Sequence, residues 1–291
     1  MTRIPTTFAS GILESEDLAF SSNLETEEVF VLEIKTGKVR TLSLATPTTS
    51  IPTIRTIYTN QYENMEVSTL LFVHQTQSLI VCCTMKASTN PREFRLLCIT
   101  RDGSQWVEKS STQVIVPFAE DIVNTGASLC ELPRSAVLLV TKWSECVVHI
   151  EFEAHKFGRV MYIDSKNEYN KNASAIERDG TTLVAFSEMN FGPLSLCALR
   201  DKSLVELSRI DKNNWMSVLW LNSQLVAVER NDEDKATGIV SFDTSGNRLE
   251  RAEELLPAAA GVNPVAVCAA GGDRVVLWDW NSKDLIVYTC V

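Results

Sequence analysis

Pairs of short apolar runs, each joined by a tight polar turn, recur along the 291-residue chain. The pairs are 70–73 with 79–83, 128–132 with 136–140, 174–177 with 183–186, 218–221 with 225–228, and 265–269 with 275–278. A third apolar run follows each pair, and usually a fourth. The runs are rich in β-branched and aromatic residues and are bounded by turn-forming residues, which is typical of strands. A unit that repeats roughly every 40–50 residues indicates a solenoid, an array or a propeller.

The number of units predicts the architecture. The third runs end near Ile34, Ile99, Phe152, Leu199, Phe242 and Cys290. Six units of four antiparallel strands predict an all-β fold, a six-bladed β-propeller that occupies residues 1–291 as a single domain. The alternatives are a pair of β-sandwiches, a β-solenoid, or seven blades if 47–63 or 109–123 contains further strands.

The first and last units differ from the others in their apolar runs. Ala9–Ile12 and Leu18–Ser21 are similar to Ala173–Ile176 and Val184–Ser187, so we expect them to be the first and second strands of the first unit. The last unit lacks a fourth run. We expect Arg3–Phe8 to pair there as the outer strand and close the ring, which would remove two exposed strand edges.

Charge and cysteine placement exclude some classes of partner. Asp and Glu number 37 against 27 Lys and Arg, a formal net charge of −10, and no long basic stretch interrupts this balance. We therefore expect no binding to nucleic acid or to an anionic membrane. The eight cysteines lie mostly inside apolar runs, without the close spacing of a zinc site. Reduced thiols, and an N-terminus without an apolar leader, favour a cytoplasmic location.

An asparagine stands shortly before the first strand in five of the six units. In a propeller the first strands line the central channel, and the loops that lead into them form one face, usually the ligand face. Amides donate and accept hydrogen bonds without carrying charge, so a ring of them predicts a site for a neutral or anionic small molecule. The alternative is that these asparagines only form turns. They are Asn64, Asn124, Asn172, Asn214 and Asn263.

The loops after the second strands belong to the same face. They carry Lys142, Trp143, Met189 and Trp280, and Trp215 directly follows Asn214. An apolar pocket with a few polar groups is the usual composition of a small-molecule site. We therefore expect the three tryptophans to form the walls of a substrate pocket, with Asn263 and Met189 also in contact with the substrate. Aromatic packing between blades is the alternative.

The sequence lacks the motifs of several common classes of enzyme and nucleotide-binding site. His74 and His155 fall in turns of the opposite face, and His149 falls within a strand, so a Ser-His-Asp triad or a His-bound metal is not expected. The sequence contains no GxSxG, HExxH, P-loop or GxGxxG motif.

The stretches Glu16–Phe20, Val31–Ile34, Ser174–Ser187 and Asn263–Ala269 resemble the six-bladed senescence-marker/gluconolactonase-like propellers. The resemblance is greatest to fungal members from natural-product pathways, some of which act as cofactor-free hetero-Diels–Alderases. Metal-dependent lactonases of that family use a Glu at the start of the first inner strand, with Asn and Asp from later blades. Here Phe8–Ser10 offers no carboxylate, Asn172 matches the family's Asn, and Asn214 stands at the position of the Asp. The resemblance thus implies a pocket without a metal or other cofactor.

The sequence and the resemblance leave three alternative functions. The first is a cofactor-free enzyme of secondary metabolism that catalyses a cyclisation of a small apolar substrate, such as a cycloaddition. It would orient the substrate and stabilise a developing oxyanion through Asn64, Asn124, Asn172, Asn214 and Lys142. The second is a metal-dependent lactonase or related hydrolase, for which only loop carboxylates such as Glu66 and Asp121 are at hand. The third is a protein-interaction propeller without catalysis.

Overall fold

The computed structural model describes residues 6–8, 18–44, 54–85, 92–116, 127–141, 146–164, 170–188, 193–201, 203–211, 215–221, 223–229, 238–256, 264–269, 274–279, 282 and 284–289. Within these ranges the regular structure is β-strand, apart from two single 3₁₀ turns at His74–Thr76 and Ser245–Asn247. The expected all-β class is confirmed. No helix in these ranges is long and apolar enough to cross a membrane.

The first two sheets have four strands each, and spatial order follows chain order. The first sheet contains β2 (Leu18–Asn23), β3 (Glu28–Glu33), β4 (Lys38–Ser43) and β5 (Ile54–Thr59). The second contains β6 (Met65–Val73), β7 (Ser78–Met85), β8 (Arg92–Asp102) and β9 (Gln105–Val116).

An eight-stranded sheet follows, made of two runs of four strands joined by one parallel pair, Asp164 with Ser203. The first run is β10 (Ala127–Leu132), β11 (Ala136–Thr141), β12 (Cys146–Glu153) and β13 (Lys156–Asp164). The second run is β14 (Asn170–Arg178), β15 (Thr181–Glu188), β16 (Leu194–Arg200) and β17 (Ser203–Ile210).

Two four-stranded sheets complete the molecule. One contains β18 (Trp215–Leu221), β19 (Gln224–Glu229), β20 (Gly238–Asp243) and β21 (Glu250–Leu256). The other contains β22 (Pro264–Ala269), β23 (Arg274–Asp279), β24 (Asp284–Thr289) and β1 (Thr6–Phe8). β1 pairs antiparallel with β24, with Thr6 opposite Val287 and Phe8 opposite Leu285. The N-terminal segment therefore provides the outer strand of the last sheet, over Thr6–Phe8 of the expected Arg3–Phe8.

The strand assignment expected for the first unit is wrong. Leu18–Ser21 lies in the first strand of the first sheet rather than the second, and Val31–Glu33 lies in the second strand rather than the third. The fourth strand, β5, was not recognised because its exposed Arg55 and Thr56 interrupt its apolar pattern. Residues 9–17 lie outside the described residues. The segments 47–63 and 109–123 contribute to the fourth strands of the first and second sheets.

The units pack in a cycle. Each first strand contacts the next: β2 with β6, β6 with β10, β10 with β14, β14 with β18, β18 with β22, and β22 with β2. An apolar cluster fills the space between each neighbouring pair of units. The cluster between the last and first units, for example, packs Leu18 and Val29 against Val276 and Trp278. Second strands such as β11, whose residues are all buried, are covered on both faces and therefore read as continuous apolar runs.

Candidate functional site at the upper face

Antiparallel pairing brings the start of each first strand beside the end of the second strand in the same unit. We call the side of the molecule on which these ends lie the upper face. The turns between first and second strands, and between third and fourth strands, lie on the opposite side, the lower face. The sequence placed the ligand site on the upper face.

Four first strands carry one extra residue close to their upper ends, where the register with the second strand shifts. The extra residues are Ser68, Lys171, Met216 and Val265. A β-bulge of this kind bends its strand, redirects neighbouring side chains, and is common at sheet edges and beside active sites. The shape of the upper face is therefore set by a repeated irregularity that the sequence pattern did not reveal.

Asn64 lies in the turn before β6 and is exposed, and its amide has no hydrogen-bond partner within the described residues. The residue that organises this turn is Asn60. Its Nδ2 donates to the carbonyl oxygen of Met65 at 2.9 Å, and its Oδ1 accepts from the backbone N–H of Tyr62 at 3.2 Å. The turn-forming role thus belongs to Asn60, and the Asn64 amide remains available to a ligand.

Asn172 is half-buried and follows the extra residue of β14, opposite Ser187. Ser187 is fully buried, and its hydroxyl has no hydrogen-bond partner within the described residues. The same holds for the hydroxyl of Thr141, which ends β11. Buried polar atoms are normally paired, and an unpaired one calls for an explanation such as a ligand or an ordered water.

Trp215 begins β18 and is 2% exposed. Its ring packs edge-on against Phe242, with 5.2 Å between the ring centroids, so packing between strands describes the indole better than an open pocket wall. Its Nε1 is nevertheless buried without an acceptor among the described residues, as is Nε1 of Trp278, close to the upper end of β23. The upper ends of these strands therefore contain four buried polar groups without a partner among the described residues. They are the two indole N–H groups and the hydroxyls of Ser187 and Thr141.

Carboxylates also end several second strands on this face, a feature that the sequence analysis missed. Glu33 is fully buried and paired with Arg40 at 2.9 Å, and Glu229 pairs with Arg251 at 3.2 Å. Asp279 accepts hydrogen bonds from the backbone N–H and the hydroxyl of Ser282. These carboxylates already have partners, so we interpret them as structural groups of the upper face. No group of three or more metal-ligating side chains occurs among the described residues.

A polar aromatic cluster lies between the first and second sheets. The Tyr62 hydroxyl is 3.1 Å from a Glu108 carboxylate oxygen, and the Arg95 guanidinium lies 4.4 Å from the centroid of the Tyr62 ring. Burial raises the pKa of Tyr58 and, together with the Glu108 charge, that of Tyr62. Both phenols therefore remain protonated at neutral pH.

Most cysteines in the described part of the chain are buried. All seven that it contains are free, and six of them are buried. Burial raises the pKa of Cys130 and of Cys268 to about 12, so these thiols are protonated at neutral pH.

The structure thus places Asn64 in the turn before β6, Asn172 inside β14 and Trp215 at the start of β18, all on the upper face. The remaining candidates lie outside the described residues and stay predictions: Asn124, Lys142, Trp143, Met189, Asn214, Asn263 and Trp280.

Comparison with known proteins identifies the fold. No protein-family model and no curated protein matches the sequence. A glucose dehydrogenase aligns over 100% of both chains, with a TM-score of 0.67 and 7% identity. The calcium-binding protein regucalcin of Agrobacterium tumefaciens aligns over 95% of this chain and 93% of its own, with a TM-score of 0.54 and 12% identity. The Dos1 propeller aligns over 93% of this chain and 67% of its own, with a TM-score of 0.51 and 13% identity. At such low identity the likeness concerns the fold alone, and the chain has a β-propeller fold similar to that of these proteins.

Proposed function

We propose that the chain is a six-bladed propeller enzyme that binds a small molecule at the mouth of its central channel, on the upper face. Each four-stranded unit is a blade, and β1 closes the ring in the last blade. The cycle of contacts between first strands, and the apolar cluster between each neighbouring pair of units, support this layout. The glucose dehydrogenase with the same fold supports an enzymatic role by analogy.

The observation that carries the proposal is the set of unsatisfied polar atoms near the upper face. The hydroxyls of Thr141 and Ser187 and the indole nitrogens of Trp215 and Trp278 are buried without partners in the described ranges. Leaving such a group unpaired costs about 1–3 kcal/mol, which a ligand with matching polar atoms recovers. The bulges beside Asn172 and Trp215 lie in the same region.

For the chemistry, we propose a cofactor-free cyclisation of the cycloaddition type in secondary metabolism. Asn64 and Asn172, with Asn124, Asn214 and Lys142, donate hydrogen bonds to a polarised carbonyl or developing oxyanion. Trp143, Trp280, Met189 and Asn263 hold the apolar substrate in a reactive conformation, whereas the packed indole of Trp215 offers only its Nε1–H group. The seven free cysteines of the described ranges fit a reducing compartment, the cytoplasm.

A metal-dependent hydrolase is the second candidate, because the corrected strand order removes one sequence-based argument against it. The inner strand of the first sheet begins at Leu18, so the residues before it are Glu16 and Asp17 rather than Phe8–Ser10. A carboxylate is thus present in the sequence where the lactonases of the resembled family have one. Glu16 or Asp17, together with Asn172, would hold a divalent cation whose role is to polarise a lactone carbonyl.

Mass spectrometry distinguishes a cycloaddition from lactone hydrolysis. The purified full chain is incubated with a panel of polyene carbonyl compounds and a panel of lactones, with and without a chelator. An intramolecular cycloaddition yields an isomer of unchanged mass and new retention time, whereas hydrolysis adds one water. We expect an isomerised product that forms equally well with the chelator present. Hydrolysis that stops with chelator and returns with calcium or zinc would replace the cyclase with the hydrolase.

Amide variants locate the site. Asn64→Ala and Asn172→Ala should each lower kcat/KM by about 5- to 150-fold, the equivalent of about 1–3 kcal/mol for an unpaired polar group, with little loss of stability. Gln113→Ala is the matched control, because this exposed amide lies on the outer strand β9. Full activity in both asparagine variants, with a lower melting temperature, would show that these asparagines only stabilise the fold.

A further inference from the structure

A cleft of about 480 Å³ opens between the first and second sheets. Its walls include Glu28, Thr41, Arg55 and Ile57 from the first sheet and Arg101 and Trp106 from the second. Arg101 and Trp106 flank the turn between β8 and β9, and Glu28 begins β3, so the cleft belongs to the lower face. It is separate from the proposed active site, and its volume falls in the range of small-molecule pockets.

Two cations in this cleft have no partner among the residues that the structure describes. Arg55 and Arg101 are exposed, and neither guanidinium makes a hydrogen bond or ion pair with any described residue. Several other arginines in the described ranges are paired, as Arg134 is with Glu177 at 2.9 Å. Glu28 contributes one carboxylate, which accepts from the Thr26 hydroxyl. Two positive charges and one negative charge leave the lining with a net charge of +1, against −10 for the whole chain.

A buried hydroxyl, that of Thr41, lies on the same face of the first sheet as Arg55 and lines the cleft. Phe30, Thr41 and Arg55 are directly opposite one another on three adjacent strands, so their side chains share one face of the first sheet. The Thr41 hydroxyl is buried and has no hydrogen-bond partner in the described ranges. It is therefore a donor directly opposite Arg55 on the same face of the first sheet.

The apolar part of the cleft is backed by packed aromatic rings. Trp106 meets Phe30 edge-on with 5.5 Å between the ring centroids, and Phe30 stacks on Phe72 at 5.1 Å with 8° between the ring planes. Phe30 and Phe72 are buried, whereas Trp106 is half-buried and lines the cleft. Trp106 thus presents a fixed indole surface, with Ile57 also in the lining, to whatever occupies the cleft.

We propose that this lower-face cleft binds a small organic anion, with a phosphate or carboxylate group attached to a planar apolar body. Arg55 and Arg101 hold the oxyanion, since guanidinium groups form strong charge-assisted hydrogen bonds with both kinds of group. Thr41 donates a further hydrogen bond, and the indole of Trp106 contacts the planar body. The site goes beyond the proposed enzymatic function and does not depend on it.

Titration calorimetry on the full chain tests the proposal, with phenyl phosphate, benzoate and inorganic phosphate as probes. We expect phenyl phosphate or benzoate to bind at one site, and more tightly than inorganic phosphate. The tighter of the two aromatic probes identifies the preferred anion. Arg55→Gln and Arg101→Gln should each weaken that binding by at least about tenfold, the equivalent of one charge-assisted hydrogen bond.

Arg200→Gln is the matched control, since Arg200 is an exposed arginine that ends the third strand of another unit, outside the cleft. It should bind the probe as tightly as the unmodified protein. Equal losses in all three variants would show a general charge effect and overturn the proposal. No binding of either aromatic probe would overturn it too, as would inorganic phosphate binding as tightly as both. Far-ultraviolet circular dichroism establishes that each variant is folded.

Discussion

At the scale of single residues, serine hydroxyls accept a hydrogen bond from the backbone N–H of a neighbouring first strand at two places in the described part of the cycle. The backbone N–H of Phe72 donates to Ser21 Oγ at 2.7 Å, and that of Trp220 donates to Ser174 Oγ at 3.2 Å. A first strand has no pairing partner on its inner side, so its inward N–H groups need another acceptor. A short hydroxyl from the neighbouring unit provides one without filling the channel.

Replacing Ser21 by Ala should therefore destabilise the fold. The buried N–H of Phe72 would lose its acceptor, and we expect the free energy of unfolding in urea to fall by about 1–3 kcal/mol. Ser111→Ala, on the exposed outer strand β9, is the control and should change it by less than about 0.5 kcal/mol. If the two variants unfold at the same urea concentration, the hydroxyl is not a structural link.

The same scale shows why only part of the site could be predicted. The asparagines before the first strands are visible in the sequence, because turn residues recur at fixed distances from apolar runs. The unpaired hydroxyls of Thr141 and Ser187 are not visible, since nothing in the sequence distinguishes them from paired ones. The sequence likewise does not show that Asn60, rather than Asn64, makes the hydrogen bonds of the turn before β6. That difference depends on turn geometry and not on residue type.

At the scale of elements, strands that are covered on both faces could be predicted and half-solvated strands could not. β11 and β7 are almost entirely buried and appear as apolar runs. β5 is an outer strand with Arg55 and Thr56 exposed, and overlooking it displaced the strand assignment of the whole first unit. Because of this error, the sequence analysis did not recognise that Glu16 and Asp17 directly precede the first inner strand.

The pairing of β1 with β24 gives a prediction at this scale. Deleting residues 2–8 removes the three-residue ladder from Thr6 to Phe8 and leaves β24 as an exposed edge. Three pairs at about 1 kcal/mol each should lower the melting temperature by about 5 °C and reduce solubility. A variant with residues 2–5 deleted, which keeps β1, is the control. Equal melting temperatures for all three proteins would mean that the strand does not close the ring.

At the scale of the whole molecule, the two faces have different roles in this account. The upper face has bulged strands and unpaired buried donors, and we assign it the enzymatic site. The lower face has turns tied together across units, as where His74 Nδ1 lies 2.8 Å from a Glu131 carboxylate oxygen, and it carries the inter-sheet cleft. A ring of similar units, each of which packs against two neighbours, provides rigid support for both.

A crystallographic fragment screen on the full chain tests the central claim, a small-molecule site at the channel mouth of the upper face. We predict six blades around one channel, and bound fragments at its upper mouth in contact with Asn172 and with at least one of the unpaired donors of Ser187, Thr141, Trp215 or Trp278. Fragments in the lower-face cleft would not affect this prediction. An upper mouth closed by side chains, with no fragment bound there, would contradict the account and favour a protein-interaction propeller.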